Sequence, residues 1–558
     1  MRNLSLKSTL FLAVALGLAG SMASCDNDEP TPKDRYSIEL SSDNLHFTEE
    51  GGNSSLTLST NSQWEVNTSS DWVSFVPTQS GAAADKQTIT VTALPFSEEN
   101  GSRTTVISIK CGDISTDAVV RKFITVSQDG PVVEDREPGI YSLKDLTELG
   151  EAIASATVEA DPDYSKWQDE NGVINLYNDI NAGATPLPLM GGQDVKANDK
   201  SGAFGGIFDG NGHTISGRLE SGGQPIVALF TRLAPTGIIR NLTVDVEATN
   251  DYTGSVQKHL AAIVGFSVTA TSGYIENCTS KGTLTMTGST TNPRVGGIVA
   301  YGRCNITGCS NYADIVSNSN RVAGINGAGG GAFTISDCKN YGTIRANCDA
   351  AQVGGIIGQQ NGQTILGCEN HGDITLTGGG KAVVGGIAGN SQGSSSIGSA
   401  ESPCLNKGVI TINGAETAPV AGSGVGGISG GMSAAVPIAY ATNEGTVVSN
   451  IDDSSVAAGG IVGAITKAAP LTGCQNKASV TSAANAGGIV GSTTVATEIN
   501  ACGNTGDIVR LATATVPAAW FGGIAGQAPS AVLTNCTFGG TVLGALGDNN
   551  NATGTAAQ

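Results

Sequence analysis

Residues 354–372 read GGIIGQQNGQTILGCENHG, and this pattern recurs nine times between about residue 258 and residue 545. Most copies open on paired glycines and an isoleucine. About a dozen residues later come a cysteine, an asparagine two residues further on and usually a glycine two beyond that. The cysteine position recurs at steps of 28 to 37 residues, and its occupants are Cys278, Cys309, Cys338, Cys368, Cys404, Ala441, Cys474, Cys502 and Cys536. A fixed period of this size predicts a solenoid, whose units bury their apolar faces only by stacking on their neighbours.

The composition predicts an all-β chain of more than one domain. The chain has 558 residues, which is too long for one compact domain, and its 78 glycines and 5% aromatics fit tight turns and short strands. The formal net charge is −20, and it becomes −22 without the first 24 residues. Because such a surface repels phosphate backbones, the charge excludes nucleic acid as a partner.

The start of the chain predicts where in the cell the protein is located. Arg2 and Lys7 precede an apolar run at residues 10–19, which is too short to span a bilayer and has the layout of a secretory signal. The stretch that ends at Cys25, MASC, resembles a bacterial lipobox. The resemblance implies that residues 1–24 are a lipoprotein signal peptide and that Cys25 is lipidated and anchors the chain in the outer membrane. A soluble secreted protein with an incidental cysteine is the alternative.

Residues 25–35 form an acidic tether. Its first part, DNDE at residues 26–29, resembles the acidic tag that sends some lipoproteins to the cell exterior. An ordinary solvated linker is the alternative. We therefore expect a lipid-anchored protein that faces the outside of the cell.

Residues 36–129 alternate apolar and polar residues, as in SLTLS at 55–59 and TITVT at 88–92, which predicts half-buried strands of a β-sandwich. Four blocks then occur in order: QWEV at 63–66, DWV at 71–73, Arg103 with VISI at 106–109, and ITVSQ at 124–128. Their order resembles a BACON domain. The resemblance implies an immunoglobulin-like sandwich and a role in binding carbohydrate or mucin.

A linker at residues 130–139 and a lead-in segment at 140–169 follow the sandwich. The lead-in segment begins with Ser142, a helix N-cap, and places Leu143, Leu146, Leu149 and Ile153 on one helical face. We expect this short helix to close the open end of the solenoid, where the first coil would otherwise present unpaired backbone groups.

Residues 170–545 resemble the GLUG-type right-handed parallel β-helix repeats of bacterial surface proteins, and residues 546–558 are predicted to be a disordered tail. Isoleucine and valine after the paired glycines should fill the interior, as in other parallel sheets. Glycines at the sharp corners are expected to supply backbone angles that other residues reach only at cost. The recurring asparagine should donate and accept hydrogen bonds along the stack; it occupies Asn311, Asn340, Asn370, Asn406, Asn443, Asn476 and Asn504, with Ser280 and Phe538 at the two ends.

Twelve cysteines in a secreted chain suggest disulfides, but eight of them share one repeat position that also accepts Ala441. Such a position fits a small buried apolar residue, and side chains in a ladder point the same way rather than toward each other. Free thiols are favoured, while bridging of ladder neighbours and metal binding stay open.

Two features could bind a sugar. Tyr312, Tyr341 and His371 occupy the same place in three successive coils, and if they face outward they form an aromatic strip about 10 Å high. Trp64 and Trp72 are the tryptophans of the sandwich. For the strip, mutual stacking that only stabilises the turn is the alternative, and for the tryptophans, burial in the core.

Catalytic motifs are missing from the sequence. The most acidic pair of the solenoid, Asp452–Asp453, falls in a turn, and DGNGH at residues 209–213 resembles a structural turn rather than a metal loop. We expect no enzyme activity, no metal and no cofactor.

The expected function is non-catalytic binding of an extracellular glycan or mucin, or adhesion, by a surface lipoprotein. A structural stalk or spacer in a surface assembly is the first alternative. A β-helix enzyme that degrades polysaccharide is the second.

Overall fold

A computed structural model describes residues 35–543, apart from 99–100, 117, 132–135, 158–161, 197–198, 269–272, 288–291, 415 and 516–518. The predicted signal peptide, Cys25, the tether up to residue 34 and the tail at 546–558 lie outside the described residues. The predicted fold class is confirmed: a β-sandwich is followed by a short helix and a long parallel β-solenoid. Within the described ranges, no helix is both long enough and apolar enough to cross a membrane.

The sandwich has two sheets, and the alternation of the sequence sets which side chains face its core. Leu56, Leu58 and Val91 from one sheet meet Ile107 and Ile124 from the other in one buried cluster. The first sheet is antiparallel, in the order Ile38–Leu40, Gly52–Thr60, Ala84–Ala93 and Val73–Val76. The second has the order Asn44–Phe47, Ala118–Asp129, Ser102–Asp113, Trp64–Asn67 and Gln79–Ser80, and only its first pair is parallel.

The predicted capping helix is present at Leu143–Ala154, and the side chain of Ser142 accepts a hydrogen bond from the backbone nitrogen of Asp145. Leu146, Leu149 and Ile153 are fully buried and belong to the same apolar cluster as the first coils of the solenoid. The helix therefore covers the end of the stack where the first coil has no neighbour.

Each coil of the solenoid passes through four parallel sheets in turn. The first solenoid sheet has 12 strands: Val173–Asn175, Ile207–Asp209, Ile238–Arg240, Tyr274–Glu276, Asn305–Thr307, Thr334–Ser336, Thr364–Leu366, Ser396–Ile397, Ile438–Ala439, Leu471–Thr472, Glu498–Asn500 and Val532–Thr534.

The second solenoid sheet has 20 strands, because from Ser310 onward a corner divides each coil's strand into two short ones. Its strands are Ile180–Pro186, Thr214–Glu220, Thr243–Asn250, Thr279–Met286, Ser310–Asn311, Asp314–Ser317, Lys339–Asn340, Ile344–Asn347, Glu369–Asn370, Ile374–Thr377, Leu405–Asn406, Ile410–Asn413, Thr442–Asn443, Val447–Ser449, Gln475–Asn476, Val480–Ser482, Gly503–Asn504, Ile508–Arg510, Thr537–Phe538 and Val542–Leu543.

The third and fourth solenoid sheets have 10 strands each and meet at the paired glycines. Strands of the third are Ile226–Val227, His259–Ala261, Arg294–Gly296, Arg321–Ala323, Gln352–Gly354, Val383–Gly385, Ser423–Gly426, Val456–Gly459, Asn485–Gly487 and Phe521–Gly522. Strands of the fourth are Phe230–Leu233, Val264–Ser267, Val299–Gly302, Asn326–Gly329, Ile357–Asn361, Ala388–Gln392, Ser429–Met432, Val462–Ile465, Val490–Thr493 and Ala525–Gln527. Together the sheets make about 11 turns.

The recurring asparagines form the predicted ladder inside the second sheet. Asn370 is fully buried; its Nδ2 donates to Oδ1 of Asn406 at 2.7 Å and to the carbonyl of Gly372 at 2.9 Å. The same side-chain bond joins every neighbouring pair from Asn311 to Asn504, at 2.7 to 2.8 Å. Each amide thus satisfies both the next amide and a corner carbonyl that no strand covers.

The paired glycines are needed because neighbouring atoms come close to them. Positive φ angles, which favour glycine, occur at turn glycines such as Gly308, Gly367 and Gly473, and not at the paired glycines. A Cβ on Gly355 would instead lie 2.2 Å from the carbonyl oxygen of Gly386 and 2.4 Å from Oδ1 of Asn370. The glycine therefore makes room for the asparagine ladder and for the next coil.

Every cysteine of the described residues is a free thiol, as the repeat position predicted. Cys368, for example, is fully buried and points its Sγ at the carbonyls of Ile335 and Leu366, at 3.5 and 3.4 Å. Burial raises the pKa of Cys338 and of Cys404 above the ordinary thiol value, so these thiols stay protonated and unreactive.

Replacing Asn370 by alanine should destabilise the solenoid strongly. The change leaves the carbonyl of Gly372 and the amides of two neighbouring asparagines without their partner, at about 1–3 kcal/mol for each buried group left unsatisfied. We expect a clearly lower urea midpoint for Asn370→Ala and almost no change for Asn347→Ala, since Asn347 is exposed on the same sheet. Equal midpoints for the two variants would contradict a stabilising ladder.

Replacing Gly355 by alanine should also lower the midpoint, because the new methyl group meets a backbone carbonyl that belongs to the next coil. The matched control is Gly414→Ala, where the nearest atom to a new Cβ is 3.8 Å away. Overpacking of this kind costs about 1–3 kcal/mol. Denaturation of both variants checks the steric explanation, and a harmless Gly355→Ala would refute it.

Candidate functional site

The corner next to the asparagine ladder stacks Tyr312, Tyr341 and His371 directly over one another. The backbone nitrogens of Tyr341 and His371 donate to the carbonyls of the ladder asparagines one coil earlier, Asn311 and Asn340, each at 2.7 Å. Because the ladder fixes the backbone of each corner, the side chain that follows the asparagine is held in register from coil to coil. We call these three side chains the aromatic strip.

The rings of the aromatic strip stack on each other. Tyr312 and Tyr341 have ring centroids 4.6 Å apart and planes 9° apart, and Tyr341 and His371 have centroids 4.7 Å apart and planes 21° apart. Tyr312 is 50% exposed and Tyr341 36%, while His371 is half-buried. The faces between the rings are covered, so no sugar ring can lie between them. The strip offers solvent its edges, over two coil spacings or about 10 Å.

Charged and hydroxyl groups flank the aromatic strip on both sides. On one side Glu369 contacts Nε2 of His371 at 2.7 Å and Nζ of Lys339 at 3.1 Å. Burial acts to raise the pKa of Glu369, but the hydrogen bonds from His371 and Lys339 outweigh it and lower that pKa. On the other side Thr343 donates to Asp314 at 2.7 Å. Ring edges beside a carboxylate, an ammonium group and a hydroxyl form the kind of surface that a polar polymer can contact.

The same corner position carries other side chains further along the stack. It is occupied by Lys407, then Glu444, then Lys477, and Nζ of Lys477 lies 3.1 Å from Oε1 of Glu444. The aromatic character is therefore confined to three coils, although the backbone of the corner is alike in all of them.

The structure separates the two sandwich tryptophans. Trp64 is 1% exposed and lies in the core, so it cannot contact a ligand and is withdrawn as a candidate. Trp72 is half-buried, and the guanidinium carbon of Arg103 lies 4.3 Å from the centre of its ring. Arg103 is held there by Gln128 Oε1 at 2.9 Å and 2.7 Å, so one face of Trp72 is covered.

One exposed aromatic residue of the sandwich was missed in the sequence. Phe123 is 58% exposed and lines a cleft of about 540 Å³ between the sandwich and the second solenoid sheet, together with Asp245 and Glu247. The period-two pattern was the available signal: Ile124 and Val126 face the core, so Phe123 must lie on the outer face of its strand.

A second cleft at the same junction, of about 390 Å³, is lined by His46, Asp129, Lys144 and Glu148. Nε2 of His46 lies 3.3 Å from Asp129, and this hydrogen bond raises the pKa of His46.

The acidic residues singled out in the sequence have structural roles in turns. Asp453 accepts hydrogen bonds from the backbone and hydroxyl of Ser455, and Asp452 accepts the same pair from Thr515. Asp209 accepts from Nε of Arg240 at 2.7 Å and stabilises the turn at Asn211. No group of three or more His, Cys, Asp or Glu in the described ranges could hold a metal ion.

Comparison with protein families gives one match, which lies in the sandwich. Residues 62–129 match the BACON family model, described as "Putative binding domain, N-terminal". Residues 62–129 are a BACON domain. Phe123, Trp72 and Arg103 all lie inside this BACON domain, and the solenoid lies outside it.

Known proteins resemble parts of the chain. Over 163 residues the chain is 28% identical to Halomucin of Haloquadratum walsbyi; this stretch is 28% of the chain and 2% of Halomucin, so the chain spans a small part of that protein. The crystal structure of "a putative immunoglobulin A1 protease from Bacteroides ovatus" shows 18% identity and a TM-score of 0.29, over 59% of this chain and 70% of that one. A Bacteroides ovatus GH5 xyloglucanase in complex with a XXXG heptasaccharide shows 18% identity and a TM-score of 0.15, over 22% of this chain and 28% of that one. TM-scores this low support no conclusion about function.

Proposed function

We propose that this chain is a non-catalytic glycan- or mucin-binding module of the cell surface, which binds its ligand along the aromatic strip of the solenoid. The observation that carries the proposal is the strip itself, in which three stacked rings, the two tyrosines exposed and the histidine half-buried, lie beside Lys339, Glu369 and Asp314. Interior positions of the stack serve packing. The outward position after the asparagine carries an aromatic side chain in three successive coils only.

The BACON domain and the resemblance to Halomucin support the same ligand class. The BACON family is described as a binding domain, and Halomucin bears a mucin's name. A long rod also suits a long polymer, because a repeated face offers successive sugars equivalent contacts at each coil.

The turn roles of Asp209, Asp452 and Asp453 support a non-catalytic function. Glycoside hydrolysis needs two carboxyl groups that face each other across the scissile bond. Those three carboxylates are instead engaged by backbone and side-chain donors: Asp209 and Asp453 within their own turns, and Asp452 by Thr515 of another coil. Degradation of a polysaccharide is therefore the weaker proposal.

A stalk or spacer is the second candidate, and one observation favours it. The rings of the aromatic strip cover each other, and stacking of this kind stabilises the corner without any ligand. The two candidates predict different results for the same variant.

Binding should depend on the strip. A soluble chain that begins at residue 26 should be retarded by mucin or by plant polysaccharides in affinity electrophoresis. Loss of the two phenol rings in Tyr312→Ala/Tyr341→Ala should weaken that retardation at least about tenfold, as for the central aromatic residues of other binding surfaces. Tyr440→Ala removes another exposed tyrosine, 44% exposed, and should bind like the unchanged chain.

If neither the unchanged chain nor Tyr312→Ala/Tyr341→Ala is retarded, the result supports the spacer. If both are retarded equally, the strip is excluded as the binding surface. Release of sugars from any of the polymers would overturn the non-catalytic proposal.

We also propose that Cys25 carries the lipid that anchors the chain in the outer membrane, with the solenoid outside the cell. Metabolic labelling with a radioactive fatty acid should label the unchanged chain and not Cys25→Ser. Protease added to intact cells should remove the solenoid. A labelled Cys25→Ser protein would contradict lipidation at this residue, and a protected solenoid would contradict the outward orientation.

A further inference from the structure

The cleft that Phe123 lines is built by both the sandwich and the solenoid. Thr125, two residues further along the same sandwich strand, packs against Gly183 of the first coil, where a Cβ would lie 2.3 Å from the methyl carbon of Thr125. Beside this contact, Nδ2 of Asn44 donates to Oγ1 of Thr185 at 3.2 Å. The sandwich is thus held against the second solenoid sheet, and a cleft of about 540 Å³ stays open next to the contact. We call it the junction cleft.

Phe123 presents an uncovered ring to the junction cleft. Its side chain is 58% exposed, and among the described residues no aromatic ring or cation stacks on it. Trp72 is covered on one face by Arg103, and the rings of the aromatic strip cover each other. A sugar ring has an apolar C–H face that can pack against an aromatic ring. Among the aromatic residues considered as sugar contacts, Phe123 is therefore the one that keeps its ring free for such packing.

Three carboxylates line the same cleft without a partner of their own. Asp43 comes from the sandwich, and Asp245 and Glu247 come from one strand of the second solenoid sheet. In the described part of the chain, none of the three side chains forms a hydrogen bond or an ion pair. The basic residue of the lining, Arg218, donates to a backbone carbonyl, and Lys281, the register partner of Asp245, is exposed outside the lining. Carboxylates accept hydrogen bonds from hydroxyl groups and repel anions, so the cleft suits an uncharged ligand rich in hydroxyl groups.

The junction cleft continues toward the aromatic strip along one row of outward side chains. Arg218, Glu247 and Thr283 line the cleft and are register partners on three successive strands of the second solenoid sheet. The next partner in the row is Asp314, which accepts from Thr343 beside the strip. From Arg218 to Asp314 the row climbs three coils, or about 14 Å. A polymer that lies in the cleft can therefore extend along the same sheet to the strip.

We propose that the junction cleft binds sugar units of a neutral polysaccharide. The inference rests on the proposed glycan-binding function and names the charge class of the glycan. One face of a sugar ring would pack on Phe123, while its hydroxyl groups would donate to Asp245 and Glu247. A uronic acid or a sulfate ester would instead place a further negative charge beside these carboxylates, and the like charges would repel each other.

Calorimetric titration of the soluble chain from residue 26 tests the charge class with matched polymers. Hydroxyethylcellulose is compared with carboxymethylcellulose, and dextran with dextran sulfate. The chain should bind at least one neutral polymer at least about tenfold more tightly than its acidic counterpart at low salt. Added salt should narrow this difference, because it screens the repulsion between the carboxylates and the acidic polymer.

Two variants assign the binding to the junction cleft. Phe123→Ala should weaken binding of the neutral polymer at least about tenfold, as loss of a central aromatic residue does on other binding surfaces. Glu247→Gln should weaken it about fivefold, because a neutral amide accepts a hydrogen bond less strongly than a carboxylate. The matched controls are Val106→Ala, at an exposed position of the same sandwich sheet outside the cleft, and Glu401→Gln, in an exposed loop. Both controls should bind like the unchanged chain, and all four variants should keep its denaturation midpoint, since the changed side chains are exposed.

The outcomes separate this inference from the proposed function. Acidic polymers that bind as tightly as their neutral counterparts, or a Phe123→Ala chain that binds like Val106→Ala, would overturn the inference, while loss of binding in Tyr312→Ala/Tyr341→Ala would still support the strip. Binding of a neutral polymer that Phe123→Ala weakens and Tyr312→Ala/Tyr341→Ala does not would support the inference and refute the strip. Absence of binding to all four polymers would overturn the inference, and mucin would then remain the test of the strip.

Discussion

A chain of buried amides sets the geometry of the solenoid corners. From Asn311 to Asn504 each side chain donates one hydrogen bond to the next asparagine and one to a corner carbonyl of its own coil. Inside a parallel stack a corner carbonyl has no strand to pair with, and an unsatisfied buried carbonyl is costly. The amide is suited to the task because it donates and accepts at once, so identical residues satisfy each other along the axis. The paired glycines follow from the same constraint, since any side chain on Gly355 would displace the amide of Asn370.

This constraint leaves the outer side of the corner free to vary. The residue after each asparagine has its backbone fixed by the ladder, while its side chain lies on the outside, next to its equivalents in the coils above and below. Aromatic residues there stack into a strip, and lysine and glutamate there form an ion pair, on one unchanged backbone. The outward side chains can therefore change by substitution without a cost to the scaffold, because the ladder holds the backbone of each corner.

The sequence was sufficient to predict what is periodic. The register of the coils, the asparagine ladder, the single thiols and the cap at Ser142 all follow from residues that recur or that fit a local rule. The sequence did not show why the glycines are paired, because close approach and a positive φ angle both select glycine and only the structure distinguishes them. The neighbouring arginines of the third solenoid sheet, Arg294 and Arg321, were not predicted as a pair. Their column carries unrelated residues in the other coils, among them His259, Gln352 and Val383, so the repeat pattern does not mark them.

The two ends of the solenoid show how such a stack stops. At one end the helix Leu143–Ala154 covers the apolar interior, and Ile140 pairs with the edge of the first coil at Leu176. At the other, Phe538 stands where the next asparagine would, so Nδ2 of Asn504 donates to the carbonyl of Gly523 at 2.8 Å instead. The last amide is thus satisfied by backbone, and the ring of Phe538 fills the space beside Gly523 that an amide fills beside Gly488. In the ladder, each side-chain donor bonds to an acceptor in the next coil. The last donor therefore stays without a partner unless an acceptor other than an asparagine side chain is present. The substitution at Phe538 meets that requirement.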